Sequence, residues 1–483
     1  MQIKRTGIIL KPNVARVLFR PFHEAGDQRT LRILARVLSL SEAEVFLSLD
    51  EVVKEFGARH QKLRDYFKRG FDRTRHLLPT DQPLSEDRKL LIGAYFTHEY
   101  SLEAAALFNP SIVLHPDQTG LSEGTIRFVL SLRATGEGHI SSITFRSGTI
   151  DQHGNVDIDS PSRFVTLPDQ IPNTSYEKVL FLRKLQELGV VEAAVETVLN
   201  VLPEFFTIDQ LRQEIQFLRR HAHHRNSEFD RTTNRMIHLA QSNYEVIYSP
   251  DQPLSERVIF PSAPNETNGI EDARFVRFVE EDGTVSYVAT YTAFDGRIIL
   301  PQLLETRDFL HFRISTLNGP EVQNKGMALF PRRIHGLYAM ISRQDGENLY
   351  LMFSDDLHFW HTKQPLLKPT YVWEFSKIGN CGSPIETDSG WLVISHGVGP
   401  MRKYSIGALL LDREDPSRVI ARLTHPLLSP DETEREGYVP NVVYTCGAMI
   451  HAGLLILPYA MSDTASSFAT VSLKDLLAAM QPT

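Results

Sequence analysis

Cysteine is scarce in this sequence, with only Cys381 and Cys446 among 483 residues. Two cysteines cannot build a disulfide framework, and these two do not have the clustered spacing of a zinc site. Disulfide-stapled extracellular domains are therefore excluded, and we expect a protein of a reducing compartment.

The sequence also lacks long apolar runs and an excess of basic residues. No stretch reaches about 18 consecutive apolar residues, the length that a membrane-spanning helix needs. The N-terminus, Met1-Gln2-Ile3-Lys4-Arg5, lacks the apolar core of a signal peptide. The net charge is −8, whereas nucleic-acid binders have a basic footprint. We therefore expect a cytoplasmic protein that binds neither a membrane nor a nucleic acid, although a local basic cluster can still bind an anionic substrate.

Several signatures of catalysis and of metal binding are missing too. The sequence contains no glycine-rich phosphate loop, no nucleophile elbow and no dinucleotide fingerprint. The histidines of the segment His221-Ala222-His223-His224 do not fit one helical face, and no carboxylate pair flanks them in a known pattern. We therefore predict neither a metal site nor an organic cofactor.

Two tracts have the apolar spacing of amphipathic helices. The first lies within residues 28–77, where Leu31, Leu34 and Leu38 show the spacing, and the second covers roughly 176–240. From these tracts we predict a mixed, largely helical N-terminal extension over residues 1–90 and a helical insertion over residues 176–240.

From about residue 241 the pattern changes to short apolar strands separated by turn signals. In one unit, strands at 275–278 and 287–291 flank a turn at Gly283. Such units recur roughly every 45 to 60 residues, as in propeller repeats, and a further copy lies upstream at 108–132. Five units predict an all-β, five-bladed β-propeller, with the first blade in residues 91–175 and the remaining blades in 241–483. A β-sandwich built from the same hairpins is the alternative.

A dense polar segment, Asn268 to Arg274, interrupts an otherwise apolar strand region. It contains Glu271 and Asp272 side by side, followed by Arg274. Burial can raise the pKa of one carboxyl while an arginine keeps another ionised, which suits acid chemistry. Because side chains alternate along an extended segment, Asp272 and Arg274 are expected to share a face and Glu271 to point away, unless a bulge at Gly269 turns Glu271 inward. A solvated loop ending in a salt bridge is the alternative.

Four basic residues recur at strand ends or strand entries of successive repeats. They are Lys325, Arg343, Lys377 and His396. Equivalent positions of propeller blades converge on the central axis, so these side chains predict an anion site, with arginine suited to bidentate phosphate binding. Scattered surface charge is the alternative.

Taken in order, the motifs resemble glycoside hydrolase family 130, the mannoside phosphorylases and β-mannosidases. The resemblance runs through most of residues 105–480, apart from the helical insertion. It rests on Phe108-Asn109-Pro110-Ser111, Leu132-Arg133-Ala134, Gly269 to Arg274, Ala328-Leu329-Phe330-Pro331 with Arg343, Lys377-Ile378-Gly379, Ser395-His396-Gly397-Val398, Gly437 to Val443, and Asp463-Thr464.

The resemblance implies a five-bladed propeller and an inverting reaction. Asp272 matches the family's general acid, whose proton reaches the glycosidic oxygen through a substrate hydroxyl. Asn109, Arg133 and Asp463 match positions that bind the mannosyl unit, and Glu271 and Arg274 are expected to bind the substrate as well. Arg343, Lys377 and His396 match the phosphate site. Lys325, also expected to bind phosphate, stands where phosphorolytic members often have arginine.

Because the basic residues are retained, the resemblance implies phosphorolysis. The expected activity is cleavage of β-mannobiose or β-manno-oligosaccharides with inorganic phosphate as co-substrate, releasing α-mannose 1-phosphate. An inverting β-mannosidase and a non-catalytic carbohydrate-binding propeller are the alternatives. Ala273 stands where the family usually has proline, so a softer loop is expected there. The linkage, the acceptor sugar and assembly into a homo-oligomer stay open.

Overall fold

The computed structural model describes residues 1–22, 26–171, 174–190, 192–221 and 227–483. Three residues of the histidine cluster, Ala222, His223 and His224, lie outside the described residues. Strands outnumber helices in the described chain, and helices are concentrated in two stretches.

The helices are amphipathic segments that bury one face. They are α1 Asp27–Leu38, α2 Glu42–Phe56, α3 Leu63–Thr74, α4 Glu86–Tyr95, α5 Lys178–Glu187, α6 Ala193–Val201, α7 Ile208–His221, α8 Ser227–Gln241 and α9 Leu473–Ala479. Ser41 and Glu44 form a reciprocal capping box that starts α2. Within the described ranges, none of these helices has the length and apolar character that crossing a membrane requires.

The two helical stretches have separate apolar cores. Helices α1, α2 and α4 bury Leu34, Val45 and Leu91 against one another. Helices α5 to α8 surround another cluster that includes Leu185 and Met236. Each core stabilises its own group of helices by removing apolar surface from water.

Five sheets of four or more strands contain most of the strand residues. Sheet one comprises Ala106–Leu114, Ile126–Thr135, Ser141–Ile150, Val156–Ile158 and Val258–Ile259. Sheet two comprises Asp169–Ile171, Tyr244–Ile247, Ile270–Val279, Val285–Phe294, Ile299–Thr306 and His311–Thr316. Sheet three comprises Ala328–Leu329, Tyr338–Ser342, Leu349–Ser354 and Gln364–Leu367.

The last two sheets include the ends of the chain. Sheet four comprises Lys377–Asn380, Ile385–Thr387, Gly390–Val398, Tyr404–Leu411, Val419–Arg422 and Gln481–Pro482. Sheet five comprises Lys4–Leu10, Val443–Tyr444, Met449–His451, Leu454–Met461 and Ala465–Ser472. Two small two-stranded sheets pair Val17–Pro21 with Thr97–Ser101 and Ser175–Glu177 with Phe205–Thr207.

The five sheets follow one another in a ring of contacts. Each sheet contacts the next in chain order, and sheet five contacts sheet one. An apolar core lies at every junction. Representative buried pairs, from the first junction to the last, are Phe145 with Phe275, Leu303 with Met340, Ile341 with Trp391, Leu410 with Leu455, and Phe128 with Phe468.

In each of the five sheets, one glutamate lies in the segment that leads into the strand nearest the centre of the ring. Its partners differ from sheet to sheet: Glu103 binds Arg16 and Arg146, Glu266 binds Tyr244 and Tyr291, Glu321 binds Lys363, Glu374 binds Arg422, and Glu434 binds Arg5 and Tyr459. Because buried carboxylates need such partners, each glutamate fixes the path of the chain just before a strand enters the centre.

The N-terminal strand completes sheet five. Lys4–Leu10 pairs antiparallel with Ala465–Ser472, so the first strand of the chain joins two strands from near its other end. Arg5 reinforces this pairing, because its guanidinium donates to both carboxylate oxygens of Glu434 at 2.9 Å. The first residues of the predicted helical extension are therefore a strand of the sheet ring.

We expect Arg5→Met to lower the free energy of unfolding by about 1–3 kcal/mol, because Glu434 then loses charge-assisted hydrogen bonds in a buried position. Urea unfolding checks the change. Lys54→Met is the control, since Lys54 pairs with Asp50 on the exposed surface of α2, and its midpoint should stay that of the parent. Equal midpoints for both variants would contradict the anchoring role of Arg5.

Candidate active site

Two neighbouring innermost strands have a bulge at the centre of the ring. The pairing register shifts between Phe108 and Ser111 in sheet one and between Glu271 and Arg274 in sheet two. Within these bulges, Asn109 has φ 48° and Asp272 has φ 57°, and asparagine and aspartate tolerate this left-handed region better than most residues. The two side chains meet, and Asn109 Nδ2 donates to Asp272 Oδ1 at 2.6 Å.

The bulge overturns the expected alternation of side chains. Arg133 donates to Glu271 Oε1 at 2.9 Å and lies 3.5 Å from Asp272 Oδ1. Glu271 therefore lies on the same side as Asp272 instead of pointing away. The expectation was wrong because strict alternation requires regular extended backbone, and a bulge re-aims the side chains beside it.

Arg274 lies beneath Asp272, with a side chain that is 1% exposed. It donates to the main-chain oxygen of Asp272 at 3.0 Å and to the hydroxyl oxygen of Tyr444 at 2.7 Å. Burial raises the pKa of Tyr444 far above the usual tyrosine value, so the phenol stays neutral. Sequence reasoning missed Tyr444, because it ends an ordinary apolar strand and its partner is 170 residues away.

The electrostatics of the centre keep Asp272 ionised. Burial acts to raise the pKa of this carboxyl, but the charges of Arg133, Arg274 and Lys325, with the hydrogen bond from Asn109, lower it overall. The free protein therefore holds a carboxylate at Asp272 at neutral pH.

The carboxyl of Asp463 has a raised pKa, in contrast to that of Asp272. Burial and the nearby charge of Asp272 raise its pKa to about 6, against the opposing effects of Arg133 and Arg402. Arg402 was not identified from the sequence. It lies in a hairpin loop with φ 55°, and no feature of the surrounding residues indicated that it approaches Asp463.

The observed contacts divide the four predicted basic residues into two sets. Arg343 and His396 are in contact, with Arg343 Nη1 3.4 Å from His396 Nε2, and the charge of Lys377 acts on the same imidazole. Lys325 instead lies 3.4 Å from Glu271 Oε2. The basic group of sheets three and four thus consists of Arg343, Lys377 and His396, and Lys325 neighbours the carboxylates.

His396 is fully buried and neutral. Burial, followed by the positive charges of Arg343, Arg274 and Lys377, lowers its pKa well below the usual histidine value. Its ring stacks on Tyr404 at 5.9 Å between centroids. A Cβ atom at Gly379 would lie 2.3 Å from His396 Cε1, so this position of the Lys377-Ile378-Gly379 motif accommodates only glycine.

Several buried polar atoms around the centre have no hydrogen-bond partner within the described part of the chain. They are Asn109 Oδ1, Arg343 Nε, and both amide atoms of Asn380, a residue that sequence reasoning missed. Buried polar groups are costly without partners, so each such atom in a native protein calls for an explanation. A polar ligand at Asn109 and Arg343 provides one.

Several known proteins are similar to parts of this chain. A family model described as beta-1,4-mannooligosaccharide phosphorylase matches residues 209–482. The 1,2-beta-oligomannan phosphorylase of Thermoanaerobacter sp. (strain X514) is 37% identical over 231 residues, which are 46% of this chain and 75% of that protein. The beta-1,2-mannobiose phosphorylase of the same organism is 33% identical over 227 residues, 44% of this chain and 70% of that protein.

A beta-1,2-mannobiose phosphorylase structure from Listeria innocua is 20% identical, with a TM-score of 0.46 over 78% of this chain and 92% of that chain. The family model and the sequence relatives place this chain among carbohydrate-active proteins. The chain belongs to glycoside hydrolase family 130, which confirms the resemblance drawn from the motifs. The region that the family model matches leaves out Asn109 and Arg133, which reach the centre through sheet one.

We expect the carboxyl of Asp463 to titrate near pH 6, where its pKa is raised to about 6. Asp272→Asn should lower this pKa because it removes a negative neighbour, and Arg402→Ala should raise it because it removes a positive one. The raised pKa means that the folded protein favours the protonated form of Asp463. The contribution of Asp463 to the free energy of unfolding is therefore lost as the pH rises through about 6.

Carbon-13 NMR of protein labelled at the aspartate carboxyls measures this titration, and Asp463→Asn assigns the resonance. A midpoint near that of an exposed aspartate, unchanged in both neighbour variants, would contradict the described charge environment.

Proposed function

We propose that this protein is a β-mannoside phosphorylase. It cleaves β-mannobiose or β-manno-oligosaccharides with inorganic phosphate, inverts the anomeric carbon and releases α-mannose 1-phosphate. The observation that carries the proposal is the presence, in one buried centre, of the carboxylate of Asp272 and the basic group of Arg343, Lys377 and His396. The names of the relatives, all phosphorylases of β-mannosides, point the same way.

The basic group can bind phosphate, which a phosphorylase needs as its nucleophile and a hydrolase does not. An inverting hydrolase uses a carboxylate base to activate water on the face opposite the leaving group. Phosphate is itself the nucleophile, so the protein must bind an anion instead. Arg343 and Lys377 provide positive charge, and the neutral His396 can donate one hydrogen bond through a ring nitrogen.

Asp272 is the proposed proton donor, although it is ionised in the free protein. Phosphate bound near Arg343 and Lys377 adds negative charge to the centre, and a bound sugar removes water. Both changes raise the pKa of Asp272 from the low value that the surrounding cations impose. In the reaction, a phosphate oxygen bonds to the anomeric carbon while the glycosidic bond breaks. The departing oxygen gains a proton from a mannosyl hydroxyl, which in turn is reprotonated by Asp272.

The remaining residues of the centre divide into binding and positioning groups. Asn109, Arg133, Glu271 and Asp463 are proposed to bind the mannosyl hydroxyls. Arg133 and Glu271 are about one-fifth exposed at the side chain, which supports a direct contact. Arg274 is enclosed by Asp272 and Tyr444, so its contribution is to position and stabilise the carboxylate of Asp272.

We also propose that the five sheets are the blades of a five-bladed β-propeller. The ring of contacts and the core at each junction support it. The division into residues 1–90, 91–175, 176–240 and 241–483 stays a prediction, with Lys4–Leu10 as an added strand of the last blade. The free, buried thiols of Cys381 and Cys446 are consistent with the proposed cytoplasmic location.

Arg343→Ala should raise the KM for phosphate about tenfold to a hundredfold, because one charge-assisted contact to a desolvated anion is worth roughly 1.5–3 kcal/mol. Steady-state kinetics with varied phosphate measures the effect. Arg332→Ala is the matched control, because Arg332 belongs to the segment after the first strand of the same sheet and pairs with Glu386. Equal turnover with and without phosphate in the parent enzyme would reject phosphorolysis and favour the inverting β-mannosidase.

Asp272→Asn keeps the size of the side chain but cannot supply a carboxyl proton. We expect turnover of a β-mannobiose to fall by about 10²–10⁴-fold, the usual contribution of general acid catalysis. Glu271→Gln should lose less, because Glu271 binds and does not donate the proton. A β-mannoside with an activated leaving group needs little protonation and should partly restore cleavage by Asp272→Asn. Near-normal turnover of the disaccharide by that variant would remove Asp272 from the acid role.

A further inference from the structure

An exposed aromatic pair stands beside the candidate active site. The rings of His139 and Tyr438 lie 5.5 Å apart between centroids, inclined at 30°. Tyr438 is 61% exposed, and His139 is exposed as well. The pair therefore presents aromatic surface to solvent.

Both residues are tied to groups of the candidate active site. The main-chain nitrogen of Tyr438 donates to Thr464 Oγ1 at 2.9 Å, next to Asp463. His139 lies two residues before Ser141, whose hydroxyl accepts from Arg133 Nε at 2.9 Å. The pair thus borders the mouth of the site, between Asp463 and Arg133.

Strained hairpin loops on three adjacent sheets frame this mouth. His139 in sheet one, Arg402 in sheet four and Asp463 in sheet five follow the second strand of a hairpin and have φ of 60°, 55° and 51°. Positive φ is uncommon outside glycine, although aspartate and histidine tolerate it better than arginine does, and such positions cluster at binding sites and active sites. Arg402 and Asp463 act on each other's charge near the centre, and His139 holds the equivalent loop position on sheet one.

The direction in which a leaving group departs follows from inversion. Nucleophile and leaving group lie on opposite sides of the anomeric carbon in an inverting displacement. The basic group lies on sheets three and four, whereas His139 lies in a hairpin loop of sheet one and Tyr438 in the segment that leads into sheet five. When phosphate held at Arg343, Lys377 and His396 attacks the mannosyl unit, the other sugar therefore departs toward the aromatic pair.

We infer that Tyr438 and His139 form the subsite for the leaving sugar, the second pyranose ring of the β-mannoside. This inference rests on the proposed function. A pyranose has an apolar face of C–H groups, which packs on an aromatic ring, and hydroxyls at its rim that hydrogen-bond to water and polar neighbours. The inference makes this pair a determinant of acceptor choice, distinct from the residues that bind the mannosyl unit or phosphate.

The test uses the synthetic direction, with α-mannose 1-phosphate as donor and mannose or a β-mannobiose as acceptor. Tyr438→Ala should raise the KM for the acceptor about tenfold, as expected for the loss of aromatic stacking and burial, and leave the KM for α-mannose 1-phosphate within about twofold. Tyr438→Phe should retain the parent values because it keeps the ring. Phe375→Ala is the matched control, since Phe375 is also 61% exposed but belongs to the segment that leads into sheet four. An unchanged acceptor KM in Tyr438→Ala would overturn the inference.

A binding measurement separates this inference from the proposed function. Calorimetry compares mannose with β-1,2- and β-1,4-mannobiose as ligands of the parent protein and of Tyr438→Ala. If the parent shows no phosphorolysis, the proposed function fails, and the subsite is then decided by binding alone. Loss of a disaccharide preference in Tyr438→Ala supports the subsite. No disaccharide preference in the parent, or the same preference in both proteins, overturns it.

Discussion

The ion pairs of Asp272 with Arg133 and Arg274 are the interaction on which the centre of this protein depends. They link sheet one to sheet two, and the hydrogen bond from Arg274 to Tyr444 extends the link to sheet five. Removing one partner of a buried ion pair leaves an uncompensated charge, which costs far more than the pair contributes. The three sheets are therefore held in one arrangement by groups that must all be present.

Charge balance makes the same centre suitable for an anion. Among the described residues, six cations, Arg133, Arg274, Lys325, Arg343, Lys377 and Arg402, lie around three carboxylates, Glu271, Asp272 and Asp463. The excess of positive charge keeps Asp272 ionised and His396 neutral. A bound anion relieves both effects at once, since it raises the pKa of the carboxyl and that of the imidazole. Binding of phosphate and readiness for proton transfer are thus coupled through one electrostatic environment.

The closure of the ring of five sheets and the assembly of the candidate active site both depend on contacts between distant parts of the chain. Periodicity located the helical tracts that contain α1 to α3 and α5 to α8, because amphipathic spacing is a local property. Turn signals likewise located hairpins such as Ile270–Val279 with Val285–Phe294. No local signal showed that Lys4–Leu10 pairs with Ala465–Ser472, since a short strand looks the same whether its partner is near or far in sequence.

For the candidate site, the sequence by itself determined the residue types and their order: adjacent carboxylates with an arginine at 271–274, and basic residues at the ends of successive strands. Only the tertiary structure decided which of them meet. The bulge at Asp272 brought Glu271 to the same side, Lys325 paired with Glu271, and Tyr444 and Arg402 entered the environment of Asp272 and Asp463. The physical reason is that backbone conformation at a bulge and burial between sheets set where a side chain points and what its pKa is, and both arise from residues far away along the chain.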